Sequence, residues 1–310
     1  MAWSGDWGAL WREALVASER APRKAGRSNT AKEDAKAVKA LVAEGQIGRA
    51  IARMVRQAAV VVGPAVAGAL QDLCPPGILP APPATQSALT AEARERLIQS
   101  AKAALIKHPK RSGAGPNCSR FEHWATAAAD TEALEEVASV IVMFLVGECP
   151  SDALRANLGA RMIALRKPNG KIRPVACGSV IRRLAGKAAC ATFREDIRHG
   201  CGSMQYAVGV KAGCEKIHKA ITALTAADSS KVVLQFDASN AFNTMPRQGI
   251  MDSVWARAPL LAAVVTPWLQ EGTTHVYWDG DGKAHGISSK RGVLAGLTKI
   301  GRASYFSWPD

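Results

Sequence analysis

The chain has 310 residues, 48% of them hydrophobic, which is enough to bury the core of one large or two modest domains. Lys and Arg number 40 against 26 Asp and Glu, and the resulting formal net charge of +14 favours a polyanionic partner. The longest apolar run in the first part of the chain, residues 58–69, contains glycine and proline and is too short to cross a bilayer, so we expect no membrane partner.

The N-terminus and the cysteines indicate an intracellular protein. The first residues include acids and lack the basic-then-apolar order of a secretory signal. Seven cysteines, an odd number without a CxxC pair, are typical of reduced thiols. We therefore expect a nuclear or cytoplasmic protein that is not secreted.

Residues 1–84 are predicted to form a helical, basic N-terminal region. Three tryptophans recur at helical spacing and predict one apolar stripe: Trp3, Trp7 and Trp11. The charged stretch that follows them fits a solvated helix face or mobile tail, or else a nucleic-acid or nuclear-import patch. The proline-rich segment Cys74–Pro83 predicts an extended linker, so we place a domain boundary there and a second domain at 85–310.

Two amphipathic helices are predicted next, separated by a basic glycine-rich loop. The first should end before Pro109, and the loop Lys107–Pro116 could approach a phosphate through its backbone, although it lacks the order of a nucleotide-binding P-loop. Asp130 or Thr131 should cap the second helix, with Gly147 past its end. Ten apolar positions are expected to face a core: Ala93, Leu97, Ala101, Ala104, Leu105, Leu134, Val137, Ile141, Val142 and Leu145.

A β-hairpin with a cationic tip is predicted at 160–176. Asn169-Gly170 between two alternating segments is typical of a two-residue type I′ turn. Four cations surround it: Arg166, Lys167, Lys171 and Arg173. They repel one another unless an anion lies among them, so a triphosphate or a nucleic-acid backbone is the expected ligand, and a solubilising turn is the alternative. The helix predicted at Val180–Phe193 should carry three more cations on one side: Arg182, Arg183 and Lys187.

The stretch Lys231–Arg247, KVVLQFDASNAFNTMPR, contains the principal candidate acid. Its apolar run ends at Asp237, which predicts a buried strand that delivers a carboxylate to a sheet edge. Such a carboxylate can hold Mg²⁺ near a polyphosphate, whereas the alternative is that Asp237 only caps a turn. Pro246 suits the first turn of a following helix.

The sequence contains two weaker patterns that resemble metal-binding motifs. Four residues offer an HxC…CxxxH arrangement that could bind zinc, although neither pair has the usual spacing: His199, Cys201, Cys214 and His218. The run 279–282, Asp-Gly-Asp-Gly, resembles the start of a calcium loop but lacks the later acids. It is better explained as the turn of a second hairpin.

Four blocks in colinear order resemble successive blocks of the reverse transcriptase domain of non-LTR (LINE-type) retrotransposons. They read LRKPNGKIRPVACGSVIRRL, MQYAVGVKAGCEKIHKAI, LQFDASNAFNTMPR and SSKRGVLAG. The likeness spans about residues 107–296, and residues 1–84 carry none of it. It implies an α/β (α+β) fold in which a helical N-terminal region precedes the fingers and part of the palm of a right-hand polymerase.

The resemblance implies a role for each matching residue. Asp237 would be the catalytic carboxylate on Mg²⁺, with the backbone carbonyl of Ala238 beside it. Phe242 would abut the sugar of the incoming nucleotide and exclude a 2′-hydroxyl. Lys167 and Arg173 would grip the triphosphate. Five residues would shape the surface that meets template, primer or incoming base: Gln205, Gly209, Gly213, Gly292 and Gly296.

The implied activity is RNA-directed DNA synthesis by two-metal phosphoryl transfer, with Mg²⁺ as cofactor and an RNA template, a DNA primer and dNTPs as partners. The sequence departs from the family because it contains no Asp-Asp dipeptide and does not match beyond Gly296. We therefore expect a chain that is truncated before the aromatic-x-Asp-Asp motif and inactive by itself. The alternatives are a non-catalytic, basic nucleic-acid-binding remnant and a zinc-dependent interaction module.

Overall fold

The computed structural model describes residues 31–43, 45, 47–54, 60–81, 89–109, 112–167, 169–206 and 210–293. Its helices are α1 (Ala31–Ala43), α2 (Ile47–Met54), α3 (Pro64–Asp72), α4 (Ala91–Ile106), α5 (Phe121–Trp124), α6 (Thr131–Val146), α7 (Ser151–Leu158), α8 (Val180–Thr192), α9 (Arg194–Gly200), α10 (Gly213–Ala227), α11 (Ala241–Thr244), α12 (Arg247–Arg257) and α13 (Pro259–Gln270), with a 3₁₀ helix at Ala125–Ala129. Its strands are β1 (Ala160–Arg166), β2 (Ile172–Gly178), β3 (Thr273–Trp278) and β4 (Ala284–Ser289). The predicted mixed α/β class is therefore confirmed. The predicted tryptophan stripe lies outside the described residues.

The described residues divide into two compact units. The first contains those within 1–72, 162–176 and 276–287, and the second contains those within 73–161, 177–275 and 288–310. The cationic hairpin tip belongs to the first unit, whereas the stretch around Asp237 belongs to the second. The boundary predicted at residue 84 stays a prediction.

The four strands form one sheet in the order β2-β1-β3-β4. In this sheet β1 is a neighbour of β2, and β3 is a neighbour of β4, so both predicted hairpins are confirmed. In β1 alternate side chains are buried, those of Ala160, Met162 and Ala164, as a period of two requires. At the second hairpin the N–H of Asp279 donates to the carbonyl of Lys283 at 3.1 Å, so residues 279–282 form a turn.

Helices α4, α6 and α8 contribute to the main hydrophobic core of the second unit. All five apolar positions predicted in α4 are buried, and those of α6 are buried or packed against the same core. The carboxylate of Asp130 caps α6 by accepting the N–H of Ala133 at 2.7 Å, and Gly147 ends that helix with φ +78°. Both predicted helix ends are thus confirmed.

Among the described helices, none is by itself long and apolar enough to cross a membrane. Helices α6 and α7 together satisfy length and composition, but the chain bends by 91° between them.

Candidate functional site

The β1–β2 hairpin turns through three residues rather than two. The N–H of Lys167 donates to the carbonyl of Lys171 at 2.8 Å, and the N–H of Gly170 donates to the carbonyl of Lys167 at 2.9 Å. Gly170 has φ +80°, the left-handed glycine that closes a three-residue loop. The predicted two-residue turn is therefore wrong. The side chain of Asn169 accepts the N–H of Lys171 at 3.2 Å and so stabilises the longer loop.

Four cationic side chains surround this turn, as predicted. Arg166, Lys171 and Arg173 are exposed, and Lys167 is partly buried. None of the four forms an ion pair with a residue that the structure describes. The tip therefore presents a positive field that no carboxylate in the described chain offsets, and such a field attracts phosphate groups.

The stretch 231–238 belongs to no strand, so the predicted buried strand ending at Asp237 is wrong. Its apolar side chains are open to solvent, with Val232 81% and Phe236 84% exposed. A strand needs a neighbour for its N–H and C=O groups, and the described sheet provides none here. The carboxylate of Asp237 is exposed, as is Ala238, and Asp237 forms no ion pair with a described residue.

Two asparagines hold the turn that follows Asp237. The side-chain amides of Asn240 and Asn243 both donate to the carbonyl of Leu73, at 2.8 and 3.1 Å. Asn240 has φ +53°, a left-handed conformation that asparagine tolerates better than most residues. Pro246 directly precedes α12, which confirms the predicted helix start.

The segment at Gly292 lies against the segment at Phe242. The N–H of Val293 donates to the carbonyl of Phe242, and the N–H of Gly292 donates to the carbonyl of Met245, both at 2.8 Å. The ring of Phe242 remains 37% exposed. The fold therefore joins two of the four resembling blocks, and it leaves part of the aromatic ring accessible.

The residues predicted to meet the template are placed differently from one another. Gln205 is buried, with 6% of its surface exposed. Gly213 begins α10, and a Cβ there would overlap the carbonyl of Tyr206, so this position requires glycine. Gly209 and Gly296 lie outside the described residues. The template contacts themselves stay a prediction.

Within the described ranges, no three His, Cys, Asp or Glu side chains are arranged to hold a metal ion. Asp237 thus belongs to no such group of ligands, and the described residues do not fit the expected two-metal site. The same finding means that the four residues of the zinc interpretation form no metal-binding cluster in the described structure: His199, Cys201, Cys214 and His218.

Only part of the cationic face predicted on α8 exists. The guanidinium carbon of Arg183 lies 4.6 Å, and the ammonium of Lys187 5.3 Å, from the ring centre of Phe121. Arg182 is only 4% exposed and faces the interior, so placing it on the same side was wrong. Consecutive helical positions point about 100° apart, which separates Arg182 from its neighbour Arg183.

Arg247, at the start of α12, is a buried cation that the sequence did not reveal. It is 5% exposed, and burial lowers the pKa of its guanidinium to about 10. The guanidinium donates to four backbone carbonyls, those of Leu269, Glu271, Ser289 and Gly292. It therefore joins α12 to the C-terminal end of α13, where helix carbonyls favour a cation, and to the segment at Gly292. In the sequence, an arginine after proline resembles any exposed helix start.

Comparison with known proteins relates the chain to retrotransposon proteins. It is similar to the Retrotransposable element SLACS 132 kDa protein of Trypanosoma brucei gambiense, with 27% identity over 227 residues. The aligned part covers 71% of this chain and 18% of that protein. No family model matches the chain.

Proposed function

We propose that the chain is the fingers and part of the palm of a retrotransposon reverse transcriptase, an RNA-directed DNA polymerase, and that it binds the nucleic acid of that enzyme. The observation that carries this proposal is the β1–β2 tip, where four cations lie without a carboxylate partner among the described residues. The four colinear blocks and the similarity to the SLACS protein support the polymerase origin.

Lys167 and Arg173 are the residues to which we assign phosphate contacts. Lysine offers a mobile point charge, and arginine offers a planar fork that can make two parallel hydrogen bonds to one phosphate. Lys167 directly follows β1 and Arg173 lies in β2, so the two residues flank one short turn and a polyanion can reach both. The partner is the backbone of an RNA template and DNA primer, or the triphosphate of a dNTP.

We also assign Phe242 and Asp237 to the polymerase site, each for a different reason. The exposed part of the Phe242 ring supports a contact with the sugar of an incoming nucleotide. Asp237 is the acid that matches the first catalytic carboxylate of the family. We assign no reaction step to Mg²⁺, because Asp237 belongs to no cluster of three potential metal ligands in the described part of the chain.

The test is a salt titration of binding to a fluorescent RNA–DNA hybrid, measured by anisotropy. The Lys167→Ala/Arg173→Ala double variant should lower the slope of log affinity against log salt by about one to two units, because each lost phosphate contact releases about one counterion fewer. The matched control is Arg155→Ala/Arg198→Ala. It removes the same charge at exposed arginines that already lie beside Asp152 and Glu195.

Equal loss in the two double variants would attribute binding to net charge and remove the hairpin from the proposal. Unchanged affinity in both would likewise remove the hairpin, whereas no measurable binding by the unmodified chain would remove nucleic-acid binding altogether. Binding through the hairpin without any primer extension would favour the non-catalytic nucleic-acid-binding protein over the polymerase.

A further inference from the structure

Two buried arginines and a buried histidine surround one small cavity in the second unit. Arg182, Arg247 and His275 are 4%, 5% and 1% exposed, and all three line it. Apart from Thr273, the other described residues of its wall have apolar side chains or are glycine. None of the described residues that line the cavity is acidic.

The wall of this cavity carries two positive charges at neutral pH. Burial, and then the charge of Arg247, lower the pKa of Arg182 to about 9, whereas burial alone lowers that of Arg247 to about 10. Both values lie well above neutrality, so both guanidinium groups are charged. Burial, together with the two arginines, lowers the pKa of His275 to about 3, so its imidazole is neutral.

The hydrogen bonds of Arg247 compensate its charge only in part. Its guanidinium donates four of its five N–H groups to backbone carbonyls. Carbonyl oxygens are dipoles and supply no net negative charge. The buried charge of Arg247, with a second cation on the same wall, therefore favours an anion in the cavity.

His275 adds an independent indication of a ligand. Neither ring nitrogen has a hydrogen-bond partner among the described residues, although the side chain is almost fully buried. A neutral imidazole has one N–H donor, and a buried donor without an acceptor is destabilising. The unpartnered ring lies on the wall of the same cavity as both guanidinium groups.

We propose that this cavity binds one small monovalent anion of the size of chloride, held by Arg182 and Arg247 and by an N–H of His275. About 10 Å³ is open to the centre of a water-sized molecule, which is room for a single such ion or a water and too little for a nucleotide. The anion neutralises charge from α8 and α12 and accepts a hydrogen bond from β3. It thereby stabilises the packing of these three elements.

The first test is thermal unfolding of the full chain at constant ionic strength, with chloride replaced stepwise by gluconate, an anion too large for the cavity. The melting temperature should rise with the logarithm of the chloride concentration above the dissociation constant, by about 5 °C once chloride exceeds that constant a hundredfold. Arg182→Met should abolish the rise. The matched control Arg183→Met changes the neighbouring arginine, which lies over Phe121 instead, and should retain the rise.

The second test needs no variant. Chloride-35 line broadening by the unmodified protein should saturate at one site, and bromide should compete for it. If Arg182→Met does not fold, His275→Phe takes its place in the melting series. Identical melting in chloride and gluconate without saturable broadening would mean that the cavity holds at most a water, and would overturn the proposal. A chloride-dependent rise that persists in Arg182→Met would place the ion elsewhere and overturn it equally.

Discussion

Gly292 packs directly on the backbone that carries Phe242, and no side chain fits between them. A Cβ at position 292 would lie 2.6 Å from Cα of Asn243 and would overlap the carbonyl oxygen of Phe242. Gly292 also has φ +64°, in the left-handed region that L side chains rarely adopt. The contact therefore depends on glycine for two separate reasons.

Gly292→Ala should destabilise the protein by at least about 1–2 kcal/mol, from the left-handed backbone alone. The clash with the backbone at 242–243 should add to this. Urea unfolding measures the change. The control is Gly249→Ala in α12, where an added Cβ meets nothing within 4 Å, and it should stabilise by about 0.5–1 kcal/mol because alanine favours a helix. If Gly292→Ala destabilised the protein by no more than the experimental error, the 242–245 and 292–293 segments would not pack as described.

The carboxylate of Asp279 stabilises the turn of the β3–β4 hairpin and connects it to His285 in β4. Its Oδ2 lies 2.7 Å from Nε2 of His285, and its Oδ1 accepts the N–H groups of Asp281 and Lys283 at 3.1 and 2.9 Å. The hydrogen bond from His285 is the main reason that the pKa of Asp279 lies below its ordinary value. A lowered pKa means that folding favours the ionised carboxylate, so this stability is present above the unfolded pKa and is lost as pH falls through the folded one.

We expect Asp279→Asn to be less stable than the unmodified protein near pH 6. The difference should shrink as pH falls through the acid range below about 4. Chemical unfolding between pH 2.5 and 6 measures it. Asp281→Asn, at the exposed neighbouring acid, should differ little from the unmodified protein at any pH. A constant deficit in Asp279→Asn across the whole range would mean that the ionised carboxylate is not the stabilising form.

The chain as it stands should extend a primed template no faster than background with Mg²⁺ and dNTPs. Asp237 is exposed and belongs to no cluster of three potential metal ligands among the described residues, and one carboxylate is too few for in-line transfer between two ions. Gel-based primer extension is the measurement. Extension above background that disappears in Asp237→Asn would show that a further acid completes the site and that this prediction is wrong.

The exposed apolar stretch at 232–236 should limit solubility rather than support the fold. Val232 and Phe236 are 81% and 84% exposed, so replacing both with serine should leave the melting temperature nearly unchanged and raise the concentration at which the protein precipitates. Precipitation by polyethylene glycol measures the second effect. Val254→Ser is the contrasting variant: that side chain is 7% exposed, and its change should lower stability by about 1–3 kcal/mol. A large loss of stability in the double variant would show that the stretch is covered.

The features that were predicted correctly are those whose signals lie close together in the chain. The apolar spacing in α4, the cap at Asp130 and the glycine after α6 involve residues within a few turns of one helix. The β1–β2 and β3–β4 hairpins are equally local, because alternation and turn residues lie within one short segment. Even there the predicted loop length was wrong, and the side chain of Asn169 stabilises the three-residue loop by accepting the N–H of Lys171.

Only the tertiary structure determined the features that depend on residues distant in the sequence. The run before Asp237 has the composition of a buried strand, but a strand forms only beside another strand, and the described sheet places none there. Arg182 and Arg247 look like ordinary helix-surface cations in the sequence. Only the packing of α8, α12 and β3 buries them around one cavity with His275, because burial depends on which helix faces meet and not on the residues within either helix.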